Sequence, residues 1–500
     1  MISANTNKRN NHSPSPSPYP QESSSLVKSF AARAHQFMKD TEQHALQGVN
    51  PGGIYQAIWS RDASFILRSW FHSGNVHGVL QQISAIWSHQ IVPGKEKIIY
   101  GRGSPEMSYK PTIAKEDKQN TFYGALPTTI YQAGYSEVYG LNPDIDSTAL
   151  MISTTSWILT KILKTLSSSS SKDEGPSPSY DENNSNYYIS EAKSMTKHAK
   201  VIDFVVPSML KAIGHLLSRD IDDDGLLEQN HNEDWMDTGL RAGKIVYSQA
   251  CMILALNNLS YLLSALDNHD ESERMIKLAT RTIHAVEQRL WSANDDCYID
   301  IQQSHHIGGP YRTLTQDVSL YLVAISENTN SDSLRAHQPR HSNHDRRIAE
   351  SQQQQEHPLK QQKDMYAQKN LDQLLKRANN TLDAISNRVW LDVWPTNVET
   401  LLKSSGPWHL KPYSYHNRTF WPWITGIEIL ARSRFKRLEE CNVLLSKLAS
   451  EDKLHILTYY EWINPKTGQG GGAYPFRTGV CTVRMAIDHI VSAMEGNRVQ

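Results

Sequence analysis

Most of this chain alternates between amphipathic helical segments and loops that carry Gly, Pro, Asn and Asp, whereas strand patterns are scarce. Amphipathic helices must bury their apolar faces against one another, so the pattern predicts an all-α protein. The predicted helices are Ala63–Ser73, Asn75–His89, Ser147–Leu166, Val201–Ser218, Ser248–Leu266, Glu271–Leu290, Thr315–Ile325, Leu371–Asn387, Trp421–Phe435 and Thr478–Met494.

The helices fall into pairs, and residues suited to chemistry lie in the loops between them. This arrangement favours a closed helical barrel with an inner and an outer ring of helices. A helical solenoid is the alternative fold, but no repeat of fixed period supports it.

Three segments differ in composition from the helical part of the chain. Residues 1–25 are rich in Ser, Pro and Asn, residues 167–194 join a Ser run to an acidic stretch, and residues 327–370 are rich in Gln, His and Arg. None has enough apolar side chains to order itself by burial. We therefore expect a disordered tail, followed by one domain over residues 26–500 that contains two low-complexity inserts.

Charge and cysteine content narrow the choice of partners. The chain has 51 basic and 52 acidic residues, so it shows no electrostatic footprint for nucleic acid or an anionic membrane. Its four cysteines are far apart, which argues against a zinc site or a disulfide framework. The polar N-terminus lacks an apolar signal region, and no stretch approaches about 18 apolar residues. We predict a soluble, cytoplasmic protein.

The first segment with a chemical pattern runs from Tyr55 to Ala63. Tyr55 and Trp59 precede the adjacent pair Arg61 and Asp62 at the start of a helix. A guanidinium beside a carboxylate offers donors and an acceptor to sugar hydroxyls, and aromatic faces suit a pyranose. We predict that these four residues bind substrate. The alternative is that Asp62 caps the helix and Arg61 pairs with a neighbour.

The second segment places Glu233, Asp234 and Asp237 around Trp235. An apolar ring beside a carboxyl group raises its pKa towards neutrality, as a general acid requires. We predict that Asp237 is the general acid and that Trp235 lines the sugar site. The alternative, solvated loop carboxylates, applies more to Glu233 and Asp234.

An acidic turn, Asp220–Gly225, precedes this segment and invites a calcium interpretation. An EF-hand loop requires Glu at its twelfth position, where this chain has His231. An ordinary Gly-containing turn is the better interpretation, and we predict no metal site.

Two further segments complete the pattern. His416, Asn417 and Trp421 lie just before and at the start of a predicted helix, where polar residues and Pro422 also suit simple capping. Glu461 is followed by an Asn-Pro-Lys-Thr-Gly turn. Hydrolysis of a glycosidic bond needs two carboxyl groups, so we predict Glu461 as the partner of Asp237.

The order of these segments resembles that of the six-hairpin glycosidases. The Tyr55–Ala63 run resembles the substrate-binding segment of glucoamylases, and Trp235-Met236-Asp237 resembles the acid-bearing segment of amylo-alpha-1,6-glucosidases, the debranching enzymes of glycogen metabolism. Tyr415-His416-Asn417 before Trp421-Pro422 is similar to a feature of debranching-type glucosidases and neutral or alkaline invertases. Glu461 with its turn resembles their general-base segment, although Arg477-Thr478 stands where the family often has Trp-Ser.

The resemblance implies an (α/α)6 barrel and an inverting, exo-acting α-glucosidase. It implies that Asp237 protonates the leaving oxygen and Glu461 activates water, while His416 and Asn417 bind hydroxyls and Trp59, Trp235 and Trp421 line the site. The expected partner is a carbohydrate, and no cofactor is required. A neutral invertase acting on sucrose and a silent glycan-binding barrel are the alternatives; a phosphorylase would not need Glu461. The oligomeric state is left open.

Overall fold

A computed structural model describes residues 23–93, 98–100, 122–132, 134–138, 142–170, 182–303, 311–329, 370–392, 394–403, 410–448 and 460–496. The predicted tail up to residue 22 and the middle of both predicted inserts, residues 171–181 and 330–369, lie outside these ranges. The α-helices of the described residues are α1 (Ser23–Ala45), α2 (Ser60–His72), α3 (Val76–Ser88), α4 (Ile145–Ser170), α5 (Glu182–Leu217), α6 (Val246–Ala265), α7 (His269–Arg289), α8 (Ser319–Thr329), α9 (370–384), α10 (Pro422–Arg434), α11 (Leu438–Leu448) and α12 (Arg477–Gly496).

The even-numbered helices form a closed inner ring. Each packs against the next, α2 on α4, α4 on α6, α6 on α8, α8 on α10 and α10 on α12, and α12 returns to α2. Each odd-numbered helix directly precedes its inner partner in the chain. The structure therefore confirms the predicted all-α (α/α)6 barrel.

Side-chain patterns explain which helices lie inside. Helix α6 is buried on every side over most of its length, as expected of a helix surrounded by others. Helix α7 instead buries one stripe that includes Met275, Ala279 and Val286, and its remaining faces are polar. A helix with a single apolar stripe can cover a ring but cannot form one.

All ten predicted helices are present, but two helices were missed. Helix α1 begins at Ser23, inside the predicted tail, and buries Phe30, Ala34 and Phe37. Helix α11 is short and also buries one narrow stripe. Both stripes have helical spacing, so their periodicity could have indicated these helices. Helix α1 packs against α12, and α11 packs against α10. Helices α4 and α5 also extend into the first predicted insert, to Ser170 and from Glu182.

Strands are short, in agreement with the scarce strand patterns. The strands of the described residues are β1 (Ile58–Trp59), β2 (Ile98–Tyr100), β3 (Thr129–Ile130), β4 (Ser136–Val138), β5 (Trp291–Ser292), β6 (Cys297–Tyr298), β7 (Ile301–Gln303), β8 (Tyr311–Thr313), β9 (Trp390–Leu391), β10 (Trp394–Pro395), β11 (Trp462–Ile463) and β12 (Gly470–Gly471). One four-stranded sheet has the order β1-β3-β4-β2, in which Ile58 pairs with Ile130 and the β2–β4 contact is parallel. The other sheets among these strands are two-stranded and pair neighbouring strands.

The described helices and the cysteines have two further properties. Among the described helices, none combines the length and the apolar character needed to cross a bilayer. Cys251, Cys297, Cys441 and Cys481 are all free and buried.

The ring closes tightly between α10 and α12, where Gly426 faces α12 directly. A Cβ at this position would lie 2.7 Å from the backbone carbon of Thr482 and 2.7 Å from the backbone nitrogen of Val483. Real Cβ atoms do not approach backbone atoms so closely. The two inner helices can therefore pack at this distance only because position 426 has no side chain.

We expect Gly426→Ala to lower the free energy of unfolding by about 1–3 kcal/mol, because the added methyl group overpacks the interface between α10 and α12. Gly214→Ala is the matched control: Gly214 is also helical, and nothing lies within 4 Å of the added Cβ. The control should be neutral or gain about 0.5–1 kcal/mol from better helix propensity. Urea unfolding of both variants measures the difference, and equal effects would contradict close packing at position 426.

Candidate active site

The predicted site residues lie at the N-terminal ends of inner helices. Arg61 and Asp62 occupy the first turn of α2, Trp421 is the N-cap residue of α10, and Asp237 and Glu461 lie in the loops that precede α6 and α12. Contacts between these segments, such as Tyr55 with Glu461 and His416 with Asp237, place these ends together. One end of the barrel therefore collects segments that are far apart in sequence.

Glu461 is held by two hydrogen bonds at the base of the β11–β12 hairpin. The Tyr55 hydroxyl donates to Oε1 at 2.8 Å, and the backbone N–H of Ala473 donates to Oε2 at 2.8 Å. Gly472 has φ +72°, and a Cβ there would lie 2.2 Å from Oε2, so only glycine fits beside the carboxylate. Tyr55, predicted to bind substrate, is thus in direct contact with the predicted base.

Burial raises the pKa of Glu461 to about 7. The hydrogen bonds from Ala473 and Tyr55 oppose this rise because they stabilise the ionised form, while the nearby carboxylates of Asp62 and Asp237 add to it. The Glu461 side chain can therefore both take up and release a proton near neutral pH.

A short backbone bridge joins the Glu461 segment to the loop before α10. The N–H of Phe420 donates to the carbonyl of Ile463 at 3.0 Å, and the N–H of Ile463 donates to the carbonyl of Phe420 at 2.8 Å. These two bonds bring Glu461 beside the His416–Trp421 segment.

Asp237 lies beside His416: its side chain is 32% exposed, and its Oδ1 is 3.6 Å from Nδ1 of His416. Burial of the carboxyl group raises the pKa of Asp237 to about 7. Asp234 and Asp146 raise it further, whereas the positive charge of Arg61 lowers it. A carboxyl group with this pKa keeps its proton for part of the time at neutral pH, as an acid catalyst must.

The predicted Trp235 is buried beneath the site rather than on its surface, since it is only 4% exposed. Its ring stands edge-on to the rings of His416, Trp421 and Trp423 at centroid distances of 5.0–5.2 Å. Trp421 is 3% exposed as well. Trp59 is half-buried and contacts Tyr55 edge-on at 5.3 Å. The two buried tryptophans both contact His416, which in turn contacts Asp237, and Trp59 lies beside Tyr55, which contacts Glu461.

His416 and Asn417 are likewise buried, at 1% and 2% exposure. Burial lowers the pKa of His416 well below its usual value, so the imidazole is neutral and its contact with Asp237 is not an ion pair. Its Nδ1 also lies 2.8 Å from Oγ1 of Thr238, and the ring stacks on Trp421. The Asn417 amide accepts from the N–H of Leu402 at 2.6 Å. Sugar binding by His416 and Asn417 stays a prediction, and the contacts observed here are with the protein.

Arg61 and Asp62, both predicted to bind substrate, lie side by side in the first turn of α2. Nη2 of Arg61 lies 3.4 Å from Oδ2 of Asp62, and Nη1 lies 3.4 Å from Oδ2 of Asp146. The Thr478 hydroxyl donates to Oδ1 of Asp62 at 2.6 Å. Thr478, in the first turn of α12, therefore links Asp62 to that helix.

Glu233 and Asp234 are not the solvated carboxylates considered above. Asp234 lies 3.2 Å from the buried guanidinium of Arg241, which also contacts Asp300 at 2.7 Å and Asp317 at 2.8 Å. Glu233 is fully buried and pairs with Arg219. Because a buried charge must have a partner, these ion pairs hold in place the loop that carries Asp237, the predicted acid.

The acidic turn brings oxygen atoms of Asp220, Asp222 and Asp224 within 4.8 Å of one another. The ammonium group of Lys244 lies 2.7 Å from Asp222 and also contacts Asp224. Positive charge from the protein itself therefore compensates this cluster.

Two residues near the site were not predicted. Tyr415 has its pKa raised far above the usual value by burial and then by Asp237 and Glu461, so it lies near both carboxyl groups. It could have been found from its place in the Tyr-His-Asn run. Asp146 has no such signal in the sequence, because its partners are 85 or more residues away.

No family model matches the sequence, and no curated protein matches it. Among solved structures, the GH63 mannosylglycerate hydrolase from Thermus thermophilus in complex with Tris superposes with a TM-score of 0.51 at 14% identity, over 91% of this chain and 98% of the other. The complex of that enzyme with glucose gives a TM-score of 0.50 at 13% identity, over 91% and 98%. Glucoamylase from Saccharomycopsis fibuligera gives 0.48 at 11% identity, over 94% and 95%. The chain has the six-hairpin glycosidase fold.

We expect Arg241→Ala to lower the free energy of unfolding by about 3–5 kcal/mol, because it leaves Asp234, Asp300 and Asp317 buried without their common partner. Arg274→Ala is the control, since Arg274 is 49% exposed and pairs only with Glu271 at the surface. Arg274→Ala should lower the free energy of unfolding by less than about 1 kcal/mol. Thermal and urea unfolding measure both values, and a small cost for Arg241→Ala would show that the three carboxylates do not depend on it.

Proposed function

We propose that this protein is an inverting, exo-acting glycoside hydrolase that removes a terminal sugar from an α-glucoside, with Asp237 as general acid and Glu461 as general base. One observation supports it most: two carboxyl groups at the same end of the barrel, Glu461 buried and Asp237 32% exposed, each have a pKa raised to about 7. They also influence each other's charge, as Asp237 contributes to the raised pKa of Glu461. Paired carboxyl groups of this kind are the machinery of glycoside hydrolysis.

The environments of the two groups favour different roles. Glu461 accepts two hydrogen bonds, from Tyr55 and Ala473, and these stabilise its ionised form. Asp237 instead lies beside the neutral His416, whose ring contacts the buried ring of Trp235, and in these surroundings the protonated form is less costly. We therefore assign the base to Glu461 and the acid to Asp237.

Hydrolysis then follows as one displacement. Asp237 gives its proton to the glycosidic oxygen while Glu461 takes a proton from a water molecule, whose oxygen attacks the anomeric carbon from the opposite face. An inverting enzyme needs about 6.5–9.5 Å between its carboxyl groups to admit this water. Arg61 donates to, and Asp62 accepts from, the hydroxyls of the terminal sugar. The product leaves with inverted anomeric configuration.

A second substrate class is a small glycoside with an acidic aglycone. The similar mannosylglycerate hydrolase is matched over 98% of its length, and one of its structures contains D-glycerate. Because the shared fold does not choose among substrates, the test includes this class together with the α-glucan and sucrose classes.

We expect Asp237→Asn and Glu461→Gln each to reduce kcat by roughly 100-fold or more, because each removes a proton-transfer step. Sugar release from maltooligosaccharides, isomaltose, sucrose, trehalose and mannosylglycerate is measured, with the product anomer followed by NMR. The controls Asp267→Asn and Glu273→Gln make the same chemical changes at exposed positions and should keep full activity. Release of β-glucose from an α-glucoside supports the proposal. Cleavage of sucrose alone would favour an invertase, and glycan binding without any cleavage would favour a silent barrel.

We expect kcat/KM to follow a bell-shaped pH profile with its maximum near neutral pH. Activity rises with pH as Glu461, with a pKa of about 7, loses its proton, and it falls as Asp237, also with a pKa of about 7, loses its own. Tyr55→Phe removes a hydrogen bond that lowers the pKa of Glu461, so the acidic limb should move to higher pH while the alkaline limb stays. An unchanged acidic limb in Tyr55→Phe would argue against Glu461 as the base.

A further inference from the structure

We propose that Asp146 is a positioning residue for this reaction: its carboxylate aligns the sugar-binding Arg61 with the backbone segment that carries Asp237. This inference rests on the proposed function and adds a residue that does not touch the substrate.

The geometry centres on one oxygen atom. Asp146 is fully buried in the first turn of α4, and its Oδ2 accepts three hydrogen bonds. Nη1 of Arg61 donates at 3.4 Å, the backbone N–H of Trp235 donates at 3.0 Å, and the hydroxyl of Tyr247 donates at 3.0 Å. These donors come from α2, from the acid-bearing loop and from α6. A single carboxylate oxygen thus connects three parts of the chain that build the site.

A backbone contact fixes the same junction. The N–H of Ile145 donates to the carbonyl of Glu233 at 3.0 Å. The first turn of α4 therefore holds the acid-bearing loop at two points, Glu233 and Trp235, which precede Asp237 in the same loop. With the loop held on both sides of Asp234, the position of Asp237 relative to Arg61 depends on where Asp146 lies.

The charge of Asp146 also reaches the proposed acid. It contributes to the raised pKa of Asp237, and Arg61 acts in the opposite direction. The titratable and charged groups around Asp146 are Arg61, Asp144, Asp234, Tyr247 and Cys251. Those around Asp237 are Arg61, Asp144, Asp146, Asp234, Tyr55, Tyr415, His416 and Glu461. Loss of the Asp146 charge should therefore lower the pKa of Asp237.

The test is Asp146→Asn, which keeps the size of the side chain and removes its charge. We expect kcat/KM to fall roughly 10- to 100-fold, because a displaced Arg61 no longer holds the sugar in line with Asp237. The alkaline limb of the pH profile should also move to lower pH. A purely structural residue would lower activity or stability without moving that limb.

Tyr247→Phe is the matched control, because it removes one donor to the same oxygen and leaves the Asp146 charge. The kcat/KM of Tyr247→Phe should fall only several-fold, and the alkaline limb of its pH profile should stay at the pH of the wild type. If circular dichroism shows that Asp146→Asn does not fold, Tyr247→Phe decides: the several-fold loss supports the proposal, and wild-type kinetics overturns it.

The outcomes separate this inference from the proposed function. If the wild type cleaves a glycoside and Asp237→Asn is inactive, but folded Asp146→Asn has normal kcat/KM and an unchanged pH profile, only the role of Asp146 is wrong. If the wild type cleaves none of the glycosides, the proposed function fails and the role of Asp146 fails with it.

Discussion

Arg241 contacts three buried carboxylates, and each belongs to a different stretch of the chain. Asp234 lies in the acid-bearing loop, Asp300 lies just before β7, and Asp317 lies just before α8. Burial of these charges is costly. The attraction between the Arg241 guanidinium and each carboxylate offsets that cost only while the groups stay together. The indole N–H of Trp235 donates to Asp317 at 2.6 Å, so the same cluster also orients the ring below Asp237. The cluster therefore ties the loop that carries the candidate acid to two other parts of the chain.

The candidate catalytic groups owe their raised pKa values to desolvation at this end of the ring. Glu461 is buried and Asp237 is partly buried, at 32% exposure, and burial penalises an ionised carboxyl group. The hydrogen bonds from Tyr55 and Ala473 at Glu461 make the two groups unequal. The difference between the two candidate groups thus arises from their partners, because both start as ordinary carboxyls.

Much of the fold could be predicted from local pattern, and so could several residues that the structure brings together in the candidate site. Apolar periodicity identified ten of the twelve described helices, and the Arg61–Asp62, Asp237 and Glu461 segments stood out by their residue types. Helices α1 and α11 were missed although each buries a stripe of regular helical spacing. The burial of Glu233 and Asp234 was also missed, because the guanidinium groups that pair with them are not apparent from the local sequence.

The sequence by itself determined the helical class, the pairing of helices and which segments carry carboxylates, since these follow from periodicity and residue type over short distances. Only the tertiary structure decided that Tyr55 bonds to Glu461, 406 residues away, and that Asp146 joins Arg61 to the acid-bearing loop. Such contacts exist because the ring closes α12 on α2 and brings its N-terminal ends together. No local pattern encodes them, because their energy is realised only when water is excluded from that end.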